Sequence, residues 1–386
     1  MIKSIKIMLL PNNKQKTKMF QFCGASRFAY NWSLKRQQEN YTQGNKFISD
    51  IDLRREFTQF KKENIWLYDI STNVTKQAIK DACISYKNFF SGRAKFPKFK
   101  TKKHSKPSFY VDTTKIEFTS THVKLESIAN NTKKNRRKLN WIKLAEKDRV
   151  STNCKYMNPR VTFDGLNFWI SVSIEIEDNQ NSPTDEGIGV DLGIKELAIC
   201  SDKNIYKNIN KTKTVRKVKK KLRRLQRKVS RKYLKNKDGN KFVKTNNIIK
   251  LEKDILELHK RLNNIRENYL HQTSNEIISR EPMFITLEDL NIKGMMKNRR
   301  LSKAIQEQCL YKFKQMLIYK AKANNISVRQ VNRFYPSSKL CNSCGCIHKE
   351  LKLKDRIYEC KECGYVEDRD LNASYNLRDA SEYTIL

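Results

Sequence analysis

Four cysteines near the C-terminal end constrain this chain more than any other feature. Cys341, Cys344, Cys360 and Cys363 form C-x2-C-x15-C-x2-C. Two pairs at this spacing can wrap one tetrahedral Zn²⁺, each pair making a knuckle whose backbone amides stabilise the thiolates. Gly345 and Gly364 stand where each knuckle must turn. Sulfur would fill all four positions of the ion, so the site reads as structural rather than catalytic. Cys346 lies in the same window as a spare. Free and metal-bound thiols belong in a reducing compartment, and the expectation is a cytoplasmic protein.

Charge narrows the partner. The 386 residues carry 80 Lys+Arg against 40 Asp+Glu, a formal charge of +40. An excess of this size repels itself in a compact state unless a polyanion neutralises it, so nucleic acid is the expected partner and a nucleoid association follows. A membrane surface would also attract such a chain. No stretch approaches the roughly 18 apolar residues of a span, however, and no secretory signal opens the sequence. The length allows two or three domains with cores of their own.

The chain opens as a strand, with Ile2, Ile5, Ile7 and Leu9 alternating before the breaker Pro11-Asn12-Asn13. Thr17 to Tyr41 reads as a helix with the apolar stripe Phe20, Ala25, Phe28, Ala29 and Trp32. Val74 to Phe90 reads as a second, after the N-capping residues Ser71-Thr72-Asn73. Residues 108–178 change to short alternating β-branched and aromatic runs, the pattern of a small β-barrel. The string Asp178-Asn179-Gln180-Asn181-Ser182-Pro183 is the clearest linker.

Beyond the linker, EGIGVDLGIKELAICSD frames Asp191 within a strand–turn–strand hairpin, with Gly193 available to relax the backbone. PMFITLEDLNIKGM reads as a buried strand, Met283 to Leu287, delivering Glu288. Adjacent strand residues face opposite ways, so Glu288 and Asp289 cannot share one site. Asp370 opens a helix, LNASYNL. The order Asp, Glu, Asp on a strand, a later strand and a C-terminal helix is that of RuvC-type nucleases of the RNase H-like fold. Three converging carboxylates repel each other unless cations lie between them. Two Mg²⁺ about 3.5–4 Å apart supply that and serve phosphodiester hydrolysis. Oxygen ligands suit Mg²⁺, as thiolates suit zinc.

Between Asp191 and Glu288, two heptad stripes joined by Asp238-Gly239 predict an antiparallel helical hairpin over 211–275. The stripes are Val215, Val218, Leu222, Leu225 and Val229, then Ile248, Leu251, Ile255, Leu258, Leu262, Ile265 and Tyr269. Residues 211–232 hold thirteen Lys/Arg and no acid, a phosphate-tracking face that includes Arg223, Arg224, Arg227 and Lys228. The second arm, with more Glu, reads as structural.

Taken with RFAYNWSL (Arg27 to Leu34), KNFFSGRAKFPKFK (Lys87 to Lys100), FYPSSKLCNSCG and YECKECGYVEDRDLNASYNL, these motifs resemble the TnpB family of insertion sequences, relatives of the miniature type V CRISPR effectors. Asp191 matches the aspartate of that family's G-x-D-x-G, Glu288 the glutamate of its I-x-x-E-D-L, and Asp370 the aspartate of its D-x-N-A. The resemblance implies an α/β multidomain protein with a wedge barrel (residues 1–15 and 101–180) and a helical recognition domain (16–100). It further implies a RuvC-like nuclease domain (181–336), a zinc ribbon (337–366) and a C-terminal RuvC-like helix (367–386). The implied activity is cutting of double-stranded DNA under a guide RNA, beside a short target-adjacent motif, with two Mg²⁺ and one structural Zn²⁺ in what is expected to be a monomer. Motif reading falls to the N-terminal helices and barrel. There Asn73, Lys76, Gln77 and Lys80 either contact base edges or form a solvated polar face. Two other classes stay open: a transposase acting on element ends, whose acids usually run Asp, Asp, Glu, and a non-catalytic guided repressor, against which the intact acids speak.

Overall fold

Strand β1 (Ile2–Leu10) buries Ile7 and Leu9 on one face, and Asn12 then turns the chain into helix α1 (Asn13–Thr42). Asn12 and Gln15 form a reciprocal capping box, each side chain accepting the other's backbone N–H at 2.9 Å. The breaker read from the sequence is therefore a helix cap, and α1 begins four residues before the expected Thr17. The computed structural model describes residues 2–126, 128, 139–152, 154–176, 183–351 and 355–386. Apart from Pro183, the linker expected at 178–183 lies outside the described residues. The chain divides into two units, Met1–Glu177 and Asp178–Leu386.

In the first unit α1 serves two cores. Met19, Phe22, Cys23 and Ala25 pack on the sheet with Ile7, Leu9, Val123, Ile142, Val161 and Ile170. Ala29, Tyr30 and Leu34 pack on α2 (Asp50–Glu63) and α3 (Thr72–Phe90), against Leu53, Phe57, Ile79 and Ala82. Strands β2 (Ser108–Tyr110), β3 (Glu117–Phe118), β4 (His122–Lys124), β5 (Trp141–Leu144), β6 (Tyr156–Phe163) and β7 (Phe168–Glu175) join β1 in an antiparallel sheet. Among the described residues it has seven strands in the order β2-β6-β7-β1-β5-β4-β3. Strict alternation along β7 buries Phe168, Ile170, Val172 and Ile174, each burial stabilising by roughly 1.5–3 kcal/mol.

The second unit is built on β8 (Ile188–Leu192), β9 (Glu196–Cys200), β10 (Ile205–Lys207), β13 (Phe284–Glu288), β14 (Ser327–Val331) and β17 (Thr384–Ile385), in the order β10-β9-β8-β13-β14-β17. Strand β13 runs parallel to both β8 and β14. Between β10 and β13 stand helix α4 (Lys213–Lys235), the short pair β11 (Lys237–Asp238) and β12 (Lys241–Phe242), and helix α5 (Asn246–Ile278). After β13 come α6 (Ile292–Met295), α7 (Ser302–Gln308) and α8 (Leu310–Ala323). After β14 come β15 (Ile357–Glu359), β16 (Val366–Asp368) and α9 (Arg369–Arg378). Leu270 and Ile277 of α5, with Phe313 and Leu317 of α8, join the core that contains Val190, Ile285, Leu287 and Val328. Helix α9 packs on β8, and both faces of β8 are buried as a near-continuous apolar run requires.

Gly189 sets that last contact. A Cβ there would lie 1.9 Å from the Ser374 carbonyl oxygen and 2.5 Å from the Arg378 nitrogen. The two backbones therefore touch, which only glycine permits. Gly189→Ala is expected to push α9 off the sheet and cost about 1–3 kcal/mol or more, read as a fall in melting temperature. An unchanged melting temperature would contradict the close approach.

Candidate active site and zinc centre

The contact at Gly189 also fixes where the acids meet. Asp191 lies two residues along β8 from Gly189, about 6.6 Å on the same face of the strand. Asp370 lies four residues back along α9 from Ser374, about 6 Å. Helix and strand thus carry the two carboxylates the same distance from one shared contact. Parallel pairing of Val190 with Leu287 makes Asp191 and Glu288 the next pair in register, facing the same side. Each of the three side chains is only partly buried.

Electrostatics record the convergence. Burial, then Glu288 and Asp370, push the Asp191 carboxyl up to about 8, with Arg369 pulling the other way. Burial also raises Glu288, offset in part by the Ser337 hydroxyl, which donates to Glu288 Oε1. Asp370 accepts from Arg369 Nη2 at 2.9 Å and Arg356 Nη1 at 3.4 Å. Asp368 is the N-cap of α9, accepting the backbone N–H of Asp370 and Leu371 at 2.9 and 3.1 Å. Asp289 turns away to pair with Arg333 at 2.7 Å. Gly193, expected to relax the backbone, has no positive φ; a Cβ there would sit 3.2 Å from the Glu196 carbonyl, so smallness is what that turn uses.

The cysteines form a tighter group. Sγ of Cys341 and Cys363 are 3.7 Å apart, those of Cys344 and Cys360 are 3.5 Å apart, and all four lie within 4.8 Å of one another. A tetrahedron with Zn–S bonds of about 2.3 Å has edges near 3.8 Å, so the set fits zinc. Gly345 and Gly364 take positive φ of 76° and 71° at the two knuckles. Their N–H groups donate to the carbonyls of Cys341 and Cys360 at 2.9 and 3.0 Å. The backbone amides of Cys363 and then Glu362 lower the Cys360 thiol to about 7, while burial raises that of Cys341. Among the described residues this is the group that closes to such a separation; the three carboxylates do not.

Two buried asparagines fasten this ribbon to the helix that carries Asp370. Asn372 Nδ2 donates to the Leu340 carbonyl at 2.7 Å, and Asn376 Nδ2 donates to the Ser337 and Leu340 carbonyls at 2.8 and 2.7 Å. Asn342, inside the first knuckle, returns bonds to Asn372 and Asn376. In the sequence, Ser337, Asn372 and Asn376 are marked only by their place in FYPSSK and D-x-N-A-x-x-N.

The basic arm behaves as its heptads require. Val215, Val218 and Leu222 of α4 pack on Leu258 and Leu262 of α5. Arg223, Arg224, Arg227 and Lys228 line a groove of about 850 Å³ on the outer side of α4, and none has an ion-pair partner among the described residues. Lys219 differs, pairing with Glu307 at 2.6 Å. On α3 the expected reading face divides. Asn73 Nδ2 donates to Glu126 at 3.2 Å, and Gln77 Nε2 to Asp81 at 2.9 Å, where Asp81 also holds Arg160 bidentately. One N–H of each amide is thus engaged within the protein, while its second N–H and its carbonyl oxygen are not used by these bonds. Lys76 and Lys80 are exposed.

Three family models match: "Probable transposase" over residues 171–299, "Cas12f1-like, TNB domain" over 311–377 and "Helix-turn-helix domain" over 1–46. The described part of that last segment is one strand and one 30-residue helix. The TnpB-like protein L79 of Acanthamoeba polyphaga mimivirus is 30% identical over 33% of this chain and 25% of its own. The putative RNA-guided DNA endonuclease InsQ of Escherichia coli K12 is 30% identical over 97% of this chain and 91% of its own. The chain belongs to the TnpB family. The cryo-EM structure of the Cas12f1-sgRNA-target DNA complex shares the fold, with TM-score 0.54 at 12% identity over 100% of this chain and 99% of that one. Among the described residues no helix is long and apolar enough to cross a membrane.

Elemental analysis of protein purified without chelator is expected to give one zinc per chain. Cys341→Ser is expected to lose that zinc, lower the melting temperature and reduce activity, because the ribbon anchors Ser337 and α9. A zinc-free wild-type chain of full stability would contradict this.

Proposed function

We propose that this protein is an RNA-guided DNA endonuclease cutting double-stranded DNA at a single RuvC-like site formed by Asp191, Glu288 and Asp370. The observation that carries the reading is that Glu288 of β13 and Asp370 of α9 both act on Asp191 of β8, together with burial raising its carboxyl to about 8. The order β10-β9-β8-β13-β14, three antiparallel strands followed by two parallel ones, supports an RNase H-like framework for that site. The donor set is carboxylate only, the chemistry of a hard divalent ion, and suits two Mg²⁺. Bound there, the two ions would supply Lewis-acid stabilisation of the phosphodiester and a more acidic water.

The chain's own groups have separable tasks in this reading. Asp191 would hold the ions together with Glu288 and Asp370. Ser337 orients Glu288 by donating to it. Arg369 holds Asp370, and Asp368 caps the helix beneath it. The unpaired cations of α4 take the phosphates of a guide RNA or its DNA hybrid without reading bases, a mode whose affinity falls steeply with salt. In the first unit, a seven-stranded sheet in the role of wedge barrel and helices α1 to α3 in the role of recognition domain receive the target-adjacent motif. Lys76 and Lys80 are the free groups on α3 for that contact.

Asp191→Ala, Glu288→Ala and Asp370→Ala are each expected to slow single-turnover cutting by roughly 10³-fold, about 4 kcal/mol of barrier, while guide and target binding persist. Asp368→Ala removes a helix cap and is expected to cost only about 1 kcal/mol of stability. Cutting by Asp191→Ala at the wild-type rate would end this assignment. Equal loss in Asp368→Ala and Asp370→Ala would move the catalytic role onto both.

A further inference from the structure

At the edge of the sheet that carries Asp191 and Glu288, where Asp289 turns away from them, lies a cavity of about 510 Å³ that the proposed chemistry does not use. Its position is set by register: Glu288 pairs with Val331 across β13 and β14. The loop beginning at Asn332 therefore starts one strand width, about 4.8 Å, from the strand carrying Glu288. Two aromatic rings wall the cavity, Phe334 from this loop and Tyr383 just before β17.

Phe334 is 88% exposed, an unusual position for a phenylalanine, yet the loop beneath it is tightly held. Asn332 Oδ1 accepts the Phe334 N–H at 2.9 Å. Arg333 on one side pairs with Asp289, and the Tyr335 hydroxyl on the other donates to the Asn376 carbonyl of α9 at 3.0 Å. The backbone that presents this ring is thus tied on both sides to acid-bearing elements, while the ring itself stands in water. The Tyr383 ring has a partner of its own, the Arg329 guanidinium at 4.3 Å, which lies over Phe284 at 3.4 Å.

The lining chemistry identifies the occupant. Asp289 and Glu382 offset Arg333, so the cavity lacks the net positive charge of a phosphate site. Gln330 Oε1 accepts from Lys314, and Asn332 Oδ1 is taken by the loop, which leaves two amide NH₂ groups without partners among the described residues. Two aromatic rings and two free amide donors lining one cavity match an unpaired nucleobase, which stacks on rings and accepts hydrogen bonds at its edge.

We propose that this cavity receives one unpaired base of the DNA strand being cut, with Phe334 as a strand-positioning residue that seats the neighbouring phosphodiester at Asp191, Glu288 and Asp370. The proposal rests on the endonuclease reading above. Its test uses the full chain loaded with guide RNA and a matched duplex carrying 2-aminopurine near the cut. Phe334→Ala is expected to lower the single-turnover cutting rate about tenfold with target affinity unchanged. Phe334→Trp restores the rate, and the volume-matched Phe334→Leu does not, a pattern that loss of packing would not give. In an Asp191→Ala background that binds without cutting, 2-aminopurine fluorescence is quenched with Phe334 present and recovers with Phe334→Ala. Wild-type cutting by Phe334→Ala, or full rescue by leucine, overturns the proposal and leaves the endonuclease reading standing. If the wild-type chain does not cut, the endonuclease reading fails instead, and the fluorescence still decides whether a base enters this cavity.

Discussion

Everything in the second unit depends on how closely α9 lies against β8. Gly189 lets the strand touch the helix backbone at Ser374 and Arg378, and the helix then runs back along the strand so that Asp370 arrives beside Asp191. A larger residue would lift the helix and separate the carboxylates without altering any of them. Parallel pairing of β8 with β13 adds Glu288 to the same face. A β-strand, a second β-strand and a helix far apart in sequence thereby make one negatively charged point.

That point is electrostatically unfavourable by construction. Burial and two like charges push Asp191 to about 8, while Arg369 and Arg356 offset part of the charge at Asp370 and Ser337 part of it at Glu288. The zinc-type cluster next door meets the same problem at shorter range, where thiolates within 4.8 Å require a cation to coexist. The two sites are mechanically joined. Asn372 and Asn376 tie the carbonyls of Ser337 and Leu340 to α9, so the cluster holds the helix end at which Asp370 stands.

Legibility in the sequence followed the kind of signal each feature leaves. Cysteine spacing and heptad stripes are local patterns, and both correspond to what the structure contains: a four-thiol cluster and a packed α4–α5 hairpin. The acids were legible through the strands that carry them and through family resemblance. Helix α2 is hard to read because, of its three buried positions at i, i+4 and i+8, the third is Lys61, which ends the apolar stripe after Leu53 and Phe57. Ser337, Asn372 and Asn376 act through contacts between distant segments, which no local pattern encodes. The internal bonds of Asn73 to Glu126 and of Gln77 to Asp81 are likewise contacts that helical spacing alone does not reveal. Gly189 and Gly193 look alike in GIGVDLG, and only packing separates a glycine that admits a helix from one that narrows a turn.

The central claim is that the three acids repel one another until cations arrive, and thermal melting of Asp191→Asn tests it most directly. Because the fold raises Asp191 from its ordinary value to about 8, its ionisation costs stability increasingly as pH rises toward 8, and that cost is fully present at pH 8.5. In zinc-replete, magnesium-free buffer at pH 8.5 the isosteric, uncharged Asp191→Asn chain is predicted to melt about 2–4 °C above wild type. Saturating Mg²⁺ should then raise wild type above the variant, which has lost a ligand. A variant that melts lower without Mg²⁺, or two proteins shifted equally by it, would contradict the account.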